Sequence, residues 1–294
     1  MIGLLADTLI IYVAASLTRP LQPVLDSFAA RTHTVIQRES GASLEHVRKI
    51  TELQRVPDLL LLADADVFPR YLVPTYASWY ANFARNRMVV AYTDRSRHAR
   101  EITKENWMHV IQRSDVEVGR TDADLAPVGY RTLLLFQLAE RFYKEPGLAA
   151  SLLAHAPPRN IRPNAAELAA LLASGELDFI YDYQSVAESN GFRFVPLPAA
   201  VDLGDPRRAR EYAAVAVHVR GVTPGSESVV RGQPILYGLS VPIAAPHAAV
   251  ARRFLQYLTS AEAVRMLRAG HVDMLDHPIA AGAGAPGEVG GRGR

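Results

Sequence analysis

The sequence predicts an α/β protein built on parallel sheets covered by helices. Two observations carry this. Short apolar runs alternate with segments of helical period over roughly the first ninety residues, the pattern of a doubly wound sheet. The runs are also nearly unbroken in apolar character, as in Leu9–Val13 and Leu59–Leu62, which suits strands buried on both faces.

Taken in order, Leu9–Val13 is the first strand. Leu17, Leu21, Leu25 and Phe28 then recur at helical spacing, with Pro20 suited to a first turn. "HTVIQRE" is a second strand, and "SGAS" leads into a helix with Leu44, Val47 and Ile50 on one face and Ser43 as its expected N-cap. "PDLLLLADAD" gives a third strand and Arg87–Thr93 a fourth. "NWMHVIQR" reads as a helix, "VEVGRT" as a strand, and a long helix opens near Pro127. "NAAELAALLASG" carries a capping box, Asn164 with Glu167, and a glycine stop at Gly175. "LDFIYDYQSVAES" is a strand entering a helix, and "FRFVPLP" is a strand. "REYAAVAVHV" and "QPILYGLSVP" read as long strands, and two helices close the pattern. Crossings near Thr93 and Val219 divide the chain into one lobe of residues 1–93 with 219–277 and another of 94–218. Residues 278–294, rich in glycine and alanine, are expected to be disordered.

Three joints share a chemistry. Ser16, Ser43 and Pro127–Gly129 each stand where a strand or loop feeds a helix start beside small residues. Backbone N–H groups and the positive end of the helix dipole gather at such points, and the crevice at the C-terminal edge of an open sheet is where ligands bind. Ser16 has two readings, a helix cap or an anion donor.

Composition narrows the function. The 294 residues carry 32 basic and 30 acidic side chains, a net charge of +2, so nothing points to nucleic acid. There is no cysteine. No apolar run approaches the roughly 18 residues of a membrane span. "MIGLLAD" lacks the basic n-region of a signal peptide, which fits either a cytoplasmic chain or one without its leader. No nucleophile with its base, P-loop or H-E-x-x-H is present, so no enzyme activity is expected. The G-x-G-x-x-G at Gly282, Gly284 and Gly287 is rejected because neither a strand before it nor a helix after it is expected.

"YVAASLTRP", "RESGASLEHVRKITEL", "PDLLLLADAD", "YASWYANFARNRMVVAYT", "VGRTDADLAPVGYRTLL", "ELDFIYDYQSVAES" and "GQPILYGLSVP" together resemble the molybdate/tungstate-binding proteins of ABC importers, the tungstate-type branch most of all. The resemblance spans roughly residues 8–275 in order, seven motifs in register. It implies a two-lobed type II periplasmic-binding-protein fold that closes on tungstate or molybdate. It also implies a membrane permease as partner, no cofactor, a monomer, and a periplasmic or extracellular location. The alternatives are another oxyanion, phosphate or sulfate, and a ligand-sensing domain of the same fold.

Carried over by motif, the resemblance makes Ser16 and Ser43 hydroxyl donors and Pro127, Val128 and Gly129 the second-lobe loop. Asp182 matches a carboxylate of the tungstate branch, either a ligand to the tungsten or molybdenum of the oxyanion or a protonated donor. Spacing alone allows a third role, capping the helix near Gln184. The branch's second carboxylate, just before the proline, is Ala126 here, which puts six-fold coordination in doubt. Tyr181 and Tyr183 are expected to pack on the opposite sheet face. Arg131 could reach the anion, though such a residue more often pairs with a carboxylate. His271–His277 matches no zinc motif and is expected as a solvated loop.

Overall fold

A computed structural model of the chain describes residues 7–221 and 225–290. The chain forms two compact units, Met1–Arg85 with Leu236–Arg294, and Asn86–Ile235. In the first, β1 (Thr8–Ala14) leads through a 3-10 turn at Ala15–Leu17 into α1 (Thr18–Thr32). Then come β2 (Val35–Gly41), α2 (Ser43–Thr51), β3 (Leu59–Leu62) and β4 (Trp79–Arg85). The second contains β5 (Met88–Tyr92), α3 (Trp107–Val110), β6 (Val118–Thr121), α4 (Pro127–Tyr143) and α5 (Leu148–Ala154). It continues with β7 (Ile161–Arg162), α6 (Ala165–Ser174), β8 (Phe179–Tyr183), α7 (Gln184–Ser189), β9 (Arg193–Pro196), α8 (Ala209–Tyr212), β10 (Ala216–Arg220) and β11 (Glu227–Arg231). The chain then completes the first unit with β12 (Leu236–Ser240), α9 (Ala248–Leu258), α10 (Ala261–Ala269) and β13 (Asp273–Gly282). None of the described helices is long and apolar enough to cross a membrane.

The first unit is a six-stranded sheet in the order β13-β4-β12-β3-β1-β2. β1 lies parallel to β2 and β3, while β12 runs antiparallel to β3 and β4. All four leucines of β3 are buried, as a strand covered on both faces requires. Each such side chain contributes about 1.5–3 kcal/mol relative to exposure. α1 buries Leu21, Val24, Leu25 and Phe28, and Phe28 meets Phe254 of α9 edge-on at 5.1 Å.

The second unit holds a five-stranded sheet, β7-β6-β8-β5-β9, and the separate antiparallel pair β10–β11. β6 is parallel to both β7 and β8. One face packs Ile180, Val89 and Ala91 against Leu168 and Leu172 of α6 and Ala187 of α7. On the other, Tyr181 meets Phe136 of α4 at 4.8 Å and Trp107 of α3 at 6.5 Å, both edge-on.

The boundaries differ from those read in the sequence. The chain leaves the first unit at Arg85 and returns at Leu236, not near Thr93 and Val219. The reason is pairing: Met88–Tyr92 hydrogen-bonds to β8 and β9 and so belongs to the second sheet. Trp79–Arg85, not recognised as a strand in the sequence, pairs with β12 and β13 in the first. "REYAAVAVHV" is not one strand but α8 followed by β10. Residues 278–282, expected to be disordered, extend β13, with Ile279–Gly282 paired to Asn82–Trp79. The expected loop at His271–His277 therefore lies largely in an edge strand, and a strand does precede the glycine motif at Gly282, although none of the described residues after it are helical. The last residues of the expected tail, 291–294, lie outside the described residues.

Gly129 shows how tightly α4 is seated. A Cβ on Gly129 would stand 2.3 Å from the Asp122 carbonyl oxygen and 2.7 Å from the Ala123 nitrogen, which are backbone atoms with little freedom to yield. Gly129→Ala should therefore destabilise the protein by about 1–3 kcal/mol. Urea unfolding should show a lower midpoint at an unchanged m-value.

Candidate functional site

In the first unit the parallel strands end level with one another. Ala14 pairs with Gly41, and Val13 with Leu61, so β1, β2 and β3 finish on one edge. Ser16 and Ser43 follow immediately. Ser16 lies in the 3-10 turn after β1 and is buried. Its side chain caps neither that turn nor α1, so the capping reading does not hold. Instead, the Tyr237 hydroxyl donates to Ser16 Oγ at 2.9 Å. Ser43 is not the N-cap of α2. That position belongs to Ala42, and Ser43 is the first helical residue. Its Oγ accepts from the Ala63 N–H, just beyond β3, at 3.1 Å. Both hydroxyls are thus held by bonds they accept, which leaves each serine its own proton to donate.

His46 supports this edge from α2. It is fully buried, stacks on Tyr12 at 5.0 Å, and its Nε2 lies 3.1 Å from the Val13 carbonyl oxygen. A carbonyl only accepts, so the Nε2 proton is the one donated. Burial, the largest influence, lowers the pKa of His46. The neutral ring pins the first turn of α2 to β1. Neither His46 nor Tyr237 was singled out from the sequence, because their partners lie 33 and 221 residues away.

In the second unit, β6 and β8 end together as parallel neighbours. α4 opens after β6 with Ala126 at its cap in extended conformation (φ −132°, ψ 140°), Pro127 first in the helix, and no side-chain cap. Pro127 has no N–H and Gly129 donates to the Ala126 carbonyl at 2.9 Å. The first N–H of this turn is therefore that of Val128, which is itself buried. By contrast, α6 after β7 is closed by its own box: Asn164 Oδ1 accepts from the Glu167 N–H at 3.1 Å, and its amide donates to the Glu167 carboxylate at 2.7 Å.

Asp182 sits in β8 with no exposed surface. Oδ1 accepts from the Tyr183 N–H at 2.7 Å, and Oδ2 has no hydrogen-bond partner among the described residues. Burial pushes its pKa up to about 8, against the opposing pull of the Tyr183 N–H. The group is therefore mainly a neutral acid at pH 7. It does not cap α7, whose cap position is Tyr183 and carries no side-chain bond. Tyr181 packs as expected, while the Tyr183 hydroxyl accepts from buried Arg131 Nη1 at 2.6 Å. Ser16 and Ser43 thus share one strand edge in the first unit, and Pro127, Val128 and Asp182 lie at the strand ends of the second.

Residues 9–271 match the family model described as bacterial extracellular solute-binding protein. Among curated relatives, an uncharacterized solute-binding protein of Petrotoga mobilis is 38% identical over 85% of this chain and 78% of its own length. A molybdate/tungstate-binding protein, WtpA, of Thermococcus kodakarensis is 32% identical over 97% of this chain and 86% of its own. Two solved structures share the fold at low identity. The sulfate-binding protein SubI of Mycobacterium tuberculosis has a TM-score of 0.65 at 13% identity, covering 92% of this chain and 88% of that one. The periplasmic molybdate-binding protein of Azotobacter vinelandii has 0.62 at 15%, covering 90% and 98%. Both are periplasmic binding proteins of the type II fold, the architecture read from the sequence. With nearly the whole chain inside the family model and relatives matched over most of their length, this protein belongs to the bacterial extracellular solute-binding protein family.

Proposed function

We propose that this protein is the solute-binding component of an ABC importer and that its ligand is a tetrahedral oxyanion, tungstate or molybdate. The observation that carries the reading is the pair of serine hydroxyls, Ser16 and Ser43. Both are buried, both are fixed by bonds they accept, and both keep a proton for an acceptor that none of the described residues supplies. Fixed neutral donors and helix N-termini suit a dianion in a dry site without requiring a lysine or arginine. The relative at 32% identity named for molybdate and tungstate supports the choice of ligand. The description of the family as extracellular supports a location outside the cytoplasmic membrane. The reading adds a membrane permease as partner and a protein that acts as a monomer. The reading calls for no cofactor and no catalysis.

Asp182 acts in this reading as a donor. A neutral carboxylic acid offers one O–H, and the partnerless Oδ2 is where it would stand. Ala126 offers no side-chain ligand, so at most one carboxylate can come from positions 126 and 182. The anion is then held as a tetrahedron through its oxygens.

Titration calorimetry with molybdate, tungstate, sulfate and phosphate tests the reading. Molybdate or tungstate should bind, and at a thousandfold excess over the dissociation constant should stabilise the fold by about 4 kcal/mol. No heat and no thermal shift with either, in protein freed of ligand, would overturn it. Ser16→Ala and Ser43→Ala should each weaken binding by about 1.5–3 kcal/mol, the scale of a hydrogen bond to a charged group.

The raised pKa of Asp182 sets a pH dependence. Between the usual 3.8 and about 8, the folded protein holds a proton that the unfolded chain has released. Stability therefore falls as pH rises through that window, and this loss is absent below it, where both states are protonated. Asp182→Asn has no proton to lose in this range and so removes the pH dependence. Its melting temperature should gain on the wild type steadily from pH 5 to pH 8, read by calorimetry in ligand-free protein, and a constant gap between the two would contradict the buried neutral acid.

A further inference from the structure

Among the described residues, Thr121 Oγ1 and Asp182 Oδ2 are buried polar atoms without hydrogen-bond partners at the edge of the second sheet, as is Nε of the neighbouring Arg120. Thr121 and Asp182 are both fully buried. Their strands are parallel neighbours, with Val118 opposite Phe179 and Gly119 opposite Ile180. Two residues further along each strand, Thr121 comes level with Asp182, and strand alternation puts both side chains on the face of Gly119 and Ile180.

The place is special in the topology. From β6 the chain passes through α4 and α5 to β7 on one side, and from β7 through α6 to β8 on the other. The connections thus diverge between β6 and β8, the switch point at which open α/β sheets take their ligands. The ladder between β6 and β8 runs only to Gly119 and Ile180, whereas β6 stays paired with β7 through Thr121 and Arg162. Thr121 and Asp182 therefore flank the opening of the sheet.

Some buried hydroxyls of the described residues donate to carbonyls, while Tyr181, in the same strand as Asp182, has an unpartnered hydroxyl among aromatic rings on the opposite face. Thr132 donates to Val128 at 2.8 Å and Ser240 to Trp79 at 2.6 Å. Thr121 does not, and neither does the carboxyl beside it find a partner for Oδ2. Leaving such groups dry and unpaired costs free energy, so their juxtaposition at the switch point calls for an incoming partner.

We propose that Thr121 is a further oxyanion-binding residue, its hydroxyl donating beside the Asp182 carboxyl to the oxygens of a tetrahedral dianion. This rests on the reading of the chain as an oxyanion-binding protein. The pair gives the second unit two adjacent side-chain donors in addition to the Val128 N–H, so Ala126 need not be replaced for the anion to be held there.

The test is titration calorimetry of molybdate and tungstate with wild type, Thr121→Val and Thr121→Ser, alongside melting of each ligand-free protein. Valine keeps the shape and removes the hydroxyl. Affinity should fall by about ten- to a hundredfold in Thr121→Val and stay within about threefold in Thr121→Ser, as for a hydrogen bond to a charged ligand. The ligand-free valine variant should melt no lower than wild type, since it loses no bond in the free state. If Thr121→Val binds as tightly as wild type and melts lower, the hydroxyl serves only the fold, and the proposal is overturned while the oxyanion reading stands. If wild type binds none of molybdate, tungstate, sulfate or phosphate, the reading fails and the proposal with it. Should Thr121→Val not fold, Thr121→Ala decides by the same affinity comparison.

Discussion

Parallel pairing is the constraint on which the rest of this structure depends. A strand can lie parallel to its predecessor only if the chain crosses back over the sheet, and a helix is the compact way to cross. The first unit does this twice, β1 through α1 to β2 and β2 through α2 to β3. The second does so with β6, β7 and β8. In each, the first strand of the three sits between the other two. The chain thus repeats a topology that no repeat in its sequence announces. The consequence is chemical: three strand ends and the following helix starts are gathered on one edge in each unit, whatever residues occupy them.

What occupies them decides the function. A charged residue at such a joint would be solvated or paired, whereas a small residue lets backbone and hydroxyl donors stand bare. Ala14 ends β1 and Ala15 and Ser16 follow it, Gly41 ends β2 and Ala42 and Ser43 follow it, and Ala126 caps α4, which opens with Pro127 to Gly129. Burial then raises the stakes, because a donor without water must be satisfied by the fold or by a ligand. Tyr237 and the Ala63 N–H hold the serine oxygens in place without consuming their protons. The fold provides orientation and leaves the remaining bond to be made.

The joints themselves were legible in the sequence because each is local: an apolar run stops, small residues follow, and helical spacing begins. Asn164 with Glu167 was legible for the same reason, since both ends of that interaction lie within one turn. The role of Ser43 was misread by one position, because a serine before a helical run has the same signature at the cap as at the first helical residue. Only the extended backbone of Ala42 separates the two. Longer-range features were not legible. Thr121 reads simply as the end of "VEVGRT", and its lack of a partner is a property of strands that meet it from elsewhere. The crossing at Arg85 was missed because Met88–Tyr92 is as apolar as a strand of either sheet, and only its partners β8 and β9 assign it.

A dianion placed beside an ionised carboxylate in a dry site is repelled, and there are two ways to remove the repulsion. The carboxylate can bond the metal centre, as the resemblance to the tungstate-type branch implies for a pair of carboxylates. Alternatively it can keep its proton. The chain has Ala126 at one position of that pair, and at the other an Asp182 whose surroundings favour the proton: no exposed surface and, among the described residues, a single backbone N–H bonded to its carboxyl. Burial outweighs the pull of the Tyr183 N–H, so desolvation decides the state of Asp182. Loss of one carboxylate and neutralisation of the other act in the same direction. In the proposed reading, they suit this edge to donating hydrogen bonds to the oxygens of a dianion rather than to coordinating its metal centre, the same chemistry proposed for Ser16 and Ser43 in the first unit.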